Sequence, residues 1–554
     1  MRDPASITGK TLTVAEHTEL LVIGAGPAGL AAAIEAARLG LKVVLVDEHP
    51  VPFDAMAEDI PLLFGGRMSG VVRNRSAMTD ACIASDSMIE AAFDAGVDLR
   101  LGTLCWGVFA NGPAVGWLPG PVAGLADPDR SWMIGAARMI VCAGRRDMGL
   151  AFPGWELPGV MGMVAAERLA ARYGALDARC AVVLGSTTDA LDGALRLRDA
   201  GVRIAAIIEV APAPLDPAAA NRGFELLCGH VVRRAEGTDG VRQLVVSPRD
   251  APDREREIAC DTVIVGVAAV PVVELLDAAG CQMAFSPERG GHVPVLDADQ
   301  RTTLPHLLAA GDCAGIWPAK SRDPNIAREE GRRAARQPLP QSGRGRREAA
   351  GEGAAAAHSE SSTQQEQEQG SVGTASPSTL SRLDLSRAAG EVILDWVRAT
   401  VIDAAGEPYV CRCEEVTARD ILEVRPPRYL GWTSDHRNRR DLASLLGAGA
   451  PNPDQVKRLT RAGMGVCQGR RCREQVAALL ALGVGVGLGE VPLATHRAPV
   501  RPLPLRLAAQ PESPEMAAHW DTWFGMASQY VPFWDAPRHH VAADRPVRSN
   551  TDPE

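Results

Sequence analysis

The sequence predicts an α/β chain with two dinucleotide-binding units and a small helical, cysteine-bearing unit towards its C-terminus. Three observations predict it. A strand, glycine turn, helix and strand follow one another from Leu20 to Asp47. A second such pattern runs from Cys180 to Glu209, and four of the 12 cysteines are grouped between Cys411 and Cys472. Strands that alternate with helices of this length build a parallel sheet with helices against its faces.

The first unit opens with the apolar run Leu20 to Ile23. Gly24-Ala25-Gly26-Pro27-Ala28-Gly29 follows, then an alanine-rich helix from about Pro27 to Leu39 that Gly40 ends. The β-rich run Lys42 to Val46 comes next, with Asp47 at its end. In a G-x-G-x-x-G turn the first glycine permits the tight bend, the second lets backbone approach a pyrophosphate, and the third lets helix pack on strand. The helix start offers free N–H groups and the positive end of a dipole to phosphates. Asp47 is placed to accept hydrogen bonds from ribose hydroxyls, with Glu48 a close second. A glycine-rich turn alone is a common strand-to-helix connection; the full strand-turn-helix-strand-acid context argues for a nucleotide.

The second unit consists of a strand Ala181 to Leu184, a helix Asp189 to Ala200 and a strand Arg203 to Glu209. Its turn, Gly185-Ser186-Thr187-Thr188-Asp189-Ala190, keeps only the first glycine. Thr187 puts a β-carbon where a pyrophosphate would meet backbone, and Asp189 adds negative charge there, which counts against NAD(P). Further strands are expected at Met139 to Cys142, Thr262 to Val267 and Leu307 to Ala310, the last followed by Gly311-Asp312-Cys313. Residues 1–330 contain no C-x-x-C or C-x4-C pair, so a dithiol–disulfide mechanism is disfavoured. Cys142, Cys180 and Cys260 stand alone and read as small buried thiols.

Cys411-Arg412-Cys413 and Cys467-Gln-Gly-Arg-Arg-Cys472 supply two thiolate pairs, enough for a [2Fe-2S] cluster or a tetrahedral zinc. The second pair lies between expected helices Asp454 to Ala462 and Glu474 to Leu482. Gly463, Gly465 and Gly469 let the backbone bend and donate N–H groups to sulfur, and Arg412, Arg470 and Arg471 offset negative charge.

The formal net charge of −10 argues against a general nucleic-acid-binding role. No apolar run is long enough to cross a bilayer, and Met1 to Glu19 has no apolar signal core, so a cytoplasmic location is expected. Peripheral attachment to a membrane stays open. From about Gln337 to Leu380 the chain turns to Gly, Ser, Gln, Glu and Ala, a composition too poor in large apolar groups to offset ordering entropy. An amphipathic helix is expected at Ala388 to Arg398.

Met139-Ile-Val-Cys-Ala-Gly-Arg145 and Thr302-Thr-Leu-Pro-His-Leu-Leu-Ala-Ala-Gly-Asp312 resemble the second and third FAD motifs of the flavin disulfide-reductase-like superfamily. The resemblance implies a flavoprotein with a two-dinucleotide-binding-domain FAD/NAD(P) fold. In it Ala143 and Gly144 approach FAD, in a Cys-Ala-Gly version of the usual Ala-Thr-Gly, and Gly311 and Asp312 meet its ribityl or pyrophosphate part. Val410 to Thr417 and Thr460 to Cys472 resemble the bacterioferritin-associated-ferredoxin-like domain, which implies a small C-terminal α-helical [2Fe-2S] domain with Cys411, Cys413, Cys467 and Cys472 as ligands. The separation of Cys413 from Cys467 is longer than that family's, as an insert around Pro426 to Pro453 would explain.

The whole arrangement, with Phe152 to Val160 and Arg497 to Pro504, resembles the α subunits of heteromeric flavin-dependent dehydrogenases such as opine oxidase, hydroxyproline dehydrogenase and hydrogen cyanide synthase. This implies an oxidoreductase subunit that relays electrons during oxidation of an amine, imino acid or opine-like substrate. Its expected partners are a β subunit resembling D-amino acid oxidase and a small electron carrier. The expected domains are an FAD-binding domain at 17–147 and 271–336, an NAD(P)-like middle domain at 148–270, an insert at 337–380, a connecting helix at 381–405, the cluster domain at 406–482 and a Pro- and Trp-containing tail at 483–554. Two other readings remain at this point: a self-contained NAD(P)H:acceptor reductase, and a non-catalytic module whose cysteines hold zinc. No catalytic acid or base is assigned. His49, His292 and His306 qualify only by residue type, and Phe64-Gly-Gly-Arg67 is a weak candidate to approach the flavin.

Overall fold

The computed structural model describes residues 14–52, 65–111, 118, 120–339, 390–404, 406–426, 441–442, 445 and 452–508. Residues 14–503 form one compact unit. The other unit, 1–13 with 504–554, is described only at 504–508, where Leu505–Ala508 is a short helix.

β1 (Glu16–Ile23), α1 (Pro27–Arg38) and β2 (Val43–Asp47) form the first β-α-β unit, with Leu20 beside Val43 and Ile23 beside Val46 in parallel register. Two helices, α2 (Arg75–Ala84) and α3 (Ser87–Asp94), lead to β3 (Asp98–Leu101). β4 (Leu104–Phe109), β5 (Val122–Ala126) and β6 (Ser131–Val141) form an antiparallel meander whose last strand returns to lie parallel to β1. The strands run in the order β3-β2-β1-β6-β5-β4, and Leu307–Ala309, far later in the chain, joins the sheet on β6. The sheet is apolar on both faces: Leu20, Val22 and Leu45 pack under α1, while Leu21, Val44 and Met139 fill the opposite side. This is the pattern of a covered parallel sheet.

β7 (Arg145–Asp147) leaves this sheet for a second one. There β8 (Val160–Gly162), α4 (Met163–Ala171), β9 (Cys180–Leu184), α5 (Thr188–Asp199), β10 (Arg203–Glu209) and β11 (Leu226–Cys228) are followed by an antiparallel sheet of β12 (His230–Glu236), β13 (Gln243–Pro248) and β14 (Arg256–Ala259). β15 (Thr262–Val265) completes a parallel sheet of order β11-β10-β9-β15-β8. The chain returns through β16 (Ala269–Pro271), antiparallel to β7, then α6 (Glu274–Ala279), the hairpin β17 (Met283–Ser286) and β18 (Gly291–Pro294), β19 (Leu307–Ala309), α7 (Pro318–Arg322) and α8 (Pro324–Ala335). The expected two-dinucleotide-fold architecture is therefore present, with the middle sheet inserted into the first.

Residues 390–397 are helical and run into a π-helical turn, Arg398–Ile402, where the sequence predicts continuous helix. β20 (Tyr409–Cys411), β21 (Val416–Thr417), α9 (Ala418–Leu422), α10 (Pro453–Thr460) and α11 (Arg473–Val484) make up the cysteine unit. α10 ends two residues earlier than expected because Arg461 takes a left-handed conformation. One continuous core joins this unit to the middle sheet, running from Phe152, Val232 and Leu244 through Trp396 to Val410, Ile421 and Leu479. Burying each such side chain is worth about 1.5–3 kcal/mol, so the two parts stabilise one another.

Cys142 and Cys260 are buried as expected, but Cys180 is only partly so, because it is the first residue of β9, where the strand emerges from the sheet. The segments 340–380 and Trp520 to Trp534 lie outside the described residues. Among the described residues no helix is long and apolar enough to cross a membrane.

Candidate functional site

The glycine turn between β1 and α1 is closely packed on one side and open on the other. Gly24 has φ +108°, and a β-carbon there would lie 2.2 Å from the Cys142 carbonyl oxygen. A β-carbon on Gly29 would lie 1.8 Å from the Gly24 carbonyl oxygen. Nothing lies within 4 Å of the same position on Gly26, which opens the backbone to a ligand. Gly26 is the N-cap of α1 and no side chain caps the helix, so its first N–H groups are not satisfied by a cap. Asp47 braces the turn: Oδ2 accepts from Ala25 N at 2.5 Å and Oδ1 from His49 N at 2.8 Å. Gly29→Ala is expected to push α1 off the turn and lower bound flavin per chain at least roughly tenfold, read from the flavin absorbance of purified protein.

A cleft of about 870 Å³ opens from this turn. Of the residues expected from sequence, Gly24, Gly26, Asp47, Glu48, Ala143 and Gly144 line it. Pro27, Ala28, Gly29, Gly311 and Asp312 do not. Ala28 and Gly29 are buried in α1, and Gly311 sits against Ala28 with its N–H bonded to Glu330 at 2.8 Å. The Asp312 carboxylate is held at 2.7 Å by Nε of Arg145, which does line the cleft. What sequence reasoning missed is the cleft's cationic wall. Arg145, Arg146, Arg168, Arg172, Arg470 and Arg501 all line it, a field suited to phosphates. Arg145 ends the second FAD-like motif and Arg470 lies in the cysteine loop, but no local motif marks Arg146, Arg168, Arg172 or Arg501 as facing the same cleft.

His49 also lines the cleft, with Nδ1 2.5 Å from the Tyr173 hydroxyl. Burial and the nearby Arg172 hold it well below the usual imidazole range, so it is neutral. His292 is pushed down to about 4 by burial and packs edge-on to Phe285, and His306 Nδ1 is buried; neither lines the cleft. Arg67 turns towards the middle sheet, donating to the carbonyls of Asp261 and Val241 at 2.8 and 3.2 Å, so this part of the Phe64 to Arg67 segment does not reach the cleft. Phe64 lies outside the described residues.

The corresponding turn of the middle sheet is closed by its own side chains. Thr187 Oγ1 caps α5 by accepting from Ala190 N at 3.2 Å. Asp189 is engaged by Arg145 at 3.0 Å and Ser321 at 3.1 Å. Glu209, the acid at the end of β10, accepts from Ser186 N, Ser186 Oγ and Ala211 N at 2.9, 2.7 and 3.1 Å. The following segment folds back over the turn, with Leu215 N and Asp216 N donating to Ser186 Oγ and its carbonyl. The helix start is thus occupied from within by Thr187 and covered by the Leu215–Asp216 return, whereas Glu209 is held by Ser186 and Ala211 much as Asp47 is held by Ala25 and His49 in the first unit.

In the cysteine unit all four grouped thiols are free and lie together. Cys413 and Cys467 sulfurs are 3.4 Å apart, and Cys411 interacts with both Cys413 and Cys472. Gly463 N donates to Cys411 Sγ at 3.3 Å, and Gly465 lies so close that a β-carbon would meet Cys413 Sγ at 2.9 Å. The adjacent Cys413 sulfur and burial hold the Cys467 thiol well above its ordinary range. Four sulfurs brought together with a backbone N–H directed at one of them are the type of donor set a thiolate-bound group requires. Among the described residues, no group of three or more His, Cys, Asp or Glu side chains is arranged to hold a metal ion.

The cleft and the cysteine unit meet directly. Arg146 is fully buried; it donates to the Arg470 carbonyl at 2.9 Å, to Glu474 at 2.5 Å and to Glu274 at 3.2 Å. A β-carbon on Gly149 would lie 2.2 Å from the Arg471 carbonyl, and Ala151 N donates to Gln475 at 2.7 Å. The strand that leaves Ala143-Gly144 is therefore tied within a few residues to the loop between Cys467 and Cys472.

Residues 18–336, over half the chain, match the family model for pyridine nucleotide-disulphide oxidoreductases. The chain belongs to that family. As such an oxidoreductase it is an FAD-dependent enzyme, and its two dinucleotide folds are those of the family. Over 535 residues it is 28% identical to an opine oxidase subunit from Agrobacterium tumefaciens (strain Ach5), covering 91% of this chain and 93% of that one. It is 27% identical over 494 residues to the hydrogen cyanide synthase subunit HcnB of Pseudomonas aeruginosa, covering 82% and 90%. L-proline dehydrogenase from P. horikoshii shares the fold at 18% identity and a TM-score of 0.53, over 90% of this chain and 81% of that one.

Proposed function

We propose that this oxidoreductase is the electron-relay subunit of a heteromeric dehydrogenase acting on an amine, imino acid or opine-like substrate. The observation that carries the reading is the junction just described: Arg470, between Cys467 and Cys472, lines the nucleotide cleft, and Arg146 ties the two together. The names of the similar proteins, subunits of opine oxidase and hydrogen cyanide synthase, support the heteromeric part.

In this reading Gly24, Gly26 and the start of α1, including Pro27, Ala28 and Gly29, receive the FAD pyrophosphate. Asp47 and Glu48 serve the ribose, Ala143 and Gly144 allow close approach, and Gly311 and Asp312 shape the floor behind Arg145. Cys411, Cys413, Cys467 and Cys472 hold a [2Fe-2S] cluster, with the Gly463 N–H directed at sulfur. Flavin accepts electrons in pairs and releases them singly, and such a cluster carries one. The chain's own groups bind, orient and electrostatically balance these cofactors. A subunit resembling D-amino acid oxidase oxidises the C–N bond, and the assembly works in the cytoplasm. A self-contained NAD(P)H reductase is less well supported, because Thr187 caps its own helix, Asp189 is held by Arg145 and Ser321, and Leu215 and Asp216 fold back over the middle turn.

The test is a visible spectrum with iron, sulfide and zinc analysis on anaerobically purified protein, before and after NADH. Flavin with about two irons per chain, left oxidised by NADH, supports the relay. Rapid bleaching by NADH favours the reductase, and zinc without iron removes the relay.

A further inference from the structure

In a chain of net charge −10, several cations gather on one side of the cysteine loop. An open hollow lies beside that loop, lined by Lys457, Arg458, Arg470 and Arg497 together with Met464 and Gln468. Two acids also line it: Glu274 is paired with Arg146 and Arg473, and Asp454, hydrogen-bonded by Thr495, leaves the cations in excess. Lys457, Arg458 and Arg497 make no ion pair among the described residues, and Arg458 and Arg497 are exposed. At the rim the loop turns apolar side chains outwards, Val466 being 61% and Met464 37% exposed. Cys413 is the one exposed cysteine of the four, with exposed Arg412 beside it.

Unpaired cations around an apolar patch form a docking face that selects an anionic partner and steers its approach. We propose that this face is the docking site for a small acidic one-electron carrier protein, whose carboxylates enter the Lys457–Arg458–Arg497 hollow while its apolar rim meets Met464 and Val466. The inference rests on the relay reading and names the partner on the exit side. The cations ring a concavity that a flat bilayer surface cannot enter, which favours a protein over anionic lipid.

The experiment measures binding of the full-length protein to an acidic [2Fe-2S] ferredoxin by calorimetry at 20 and 200 mM salt, with cationic cytochrome c and phosphatidylglycerol vesicles as counter-probes. Micromolar binding to ferredoxin that weakens at least tenfold in the higher salt is expected, with none to cytochrome c. Lys457→Glu/Arg458→Glu/Arg497→Glu should weaken ferredoxin at least tenfold and leave the circular dichroism spectrum and melting temperature unchanged. Val466→Asp, which keeps the cations, should weaken it several-fold. Equal binding by the charge-reversed variant, preference for cytochrome c, or binding to vesicles but not ferredoxin would overturn the proposal. So would ferredoxin binding to the isolated chain but not to the complex isolated from cells, because the face would then belong to an interface within that complex. Iron and flavin assayed on the same samples separate the two readings. Iron-loaded protein that ignores ferredoxin defeats the docking site alone, and ferredoxin binding by iron-free protein defeats the relay alone.

Discussion

Cys467→Ser is expected to lower iron and acid-labile sulfide from about two per chain to near zero while leaving flavin at the wild-type ratio. Cys467 is buried with its sulfur 3.4 Å from that of Cys413, so under the proposed cluster its loss removes one of four donors. The flavin should survive because the Gly24 turn is braced by Asp47 and packed on Cys142, contacts made within the first sheet and not through Cys467. Metal-bound loops take part of their folding free energy from the metal, so amide exchange should rise over 411–417 and 460–472. It should stay at the wild-type level over 16–47. Cys260→Ser is the control, a buried thiol of the middle sheet whose replacement should leave iron untouched. Unchanged iron in Cys467→Ser, or equal loss in Cys260→Ser, would remove Cys467 from the ligand set.

How much of this was legible beforehand depended on how local each feature is. β1, α1 and β2 follow from a contiguous stretch in which apolar runs, glycines and an acid stand at fixed spacing; α1 and β2 appear within a residue of expectation, while β1 starts at Glu16, four residues before the expected Leu20. The closing of the middle turn was half legible. Thr187 and Asp189 are written in the turn, but the capture of Glu209 by Ser186 and the folding-back of Leu215 and Asp216 depend on three-dimensional return of the chain. Asp312 shows the same limit: its place after β19 was readable, while the turning of its carboxylate onto Arg145, 167 residues earlier, was not. The arginine wall and the Arg146 junction are the extreme cases. They join residues as much as 328 apart, and an isolated Arg is in most sequences a solvated side chain.

That junction makes the strongest prediction about stability. Arg146→Met fills nearly the same space but leaves Glu274 and Glu474 buried with Arg473 as their remaining cation. Removing one partner from a buried ionic cluster typically costs about 3–5 kcal/mol, because the charges left behind cannot recover their hydration. For a unit of this size, whose unfolding entropy is about 1 kcal/mol/K, that corresponds to a fall in melting temperature of roughly 3–5 °C. The pH dependence separates this cause from simple loss of packing. In the wild type, burial opposes ionisation of Glu274, yet Arg146 and Arg473 outweigh it and hold the carboxyl well below the usual carboxylate range. A carboxyl depressed in the folded state contributes stability that is fully present above its unfolded pKa, about 4.3, and is lost as the pH falls below it. Without Arg146 burial dominates, the carboxyl protonates more readily, and this advantage disappears. The gap in unfolding free energy between wild type and Arg146→Met should therefore be widest near pH 7 and shrink towards pH 3.5, measured by denaturant titration at each pH. Arg146→Met/Glu274→Gln/Glu474→Gln, which removes the stranded charges as well, should recover much of the loss at pH 7. A gap that stays constant from pH 3.5 to 7, with no recovery in the triple variant, would mean that Arg146 acts through packing and that the charge balance of this junction does not hold the cleft and the cysteine loop together.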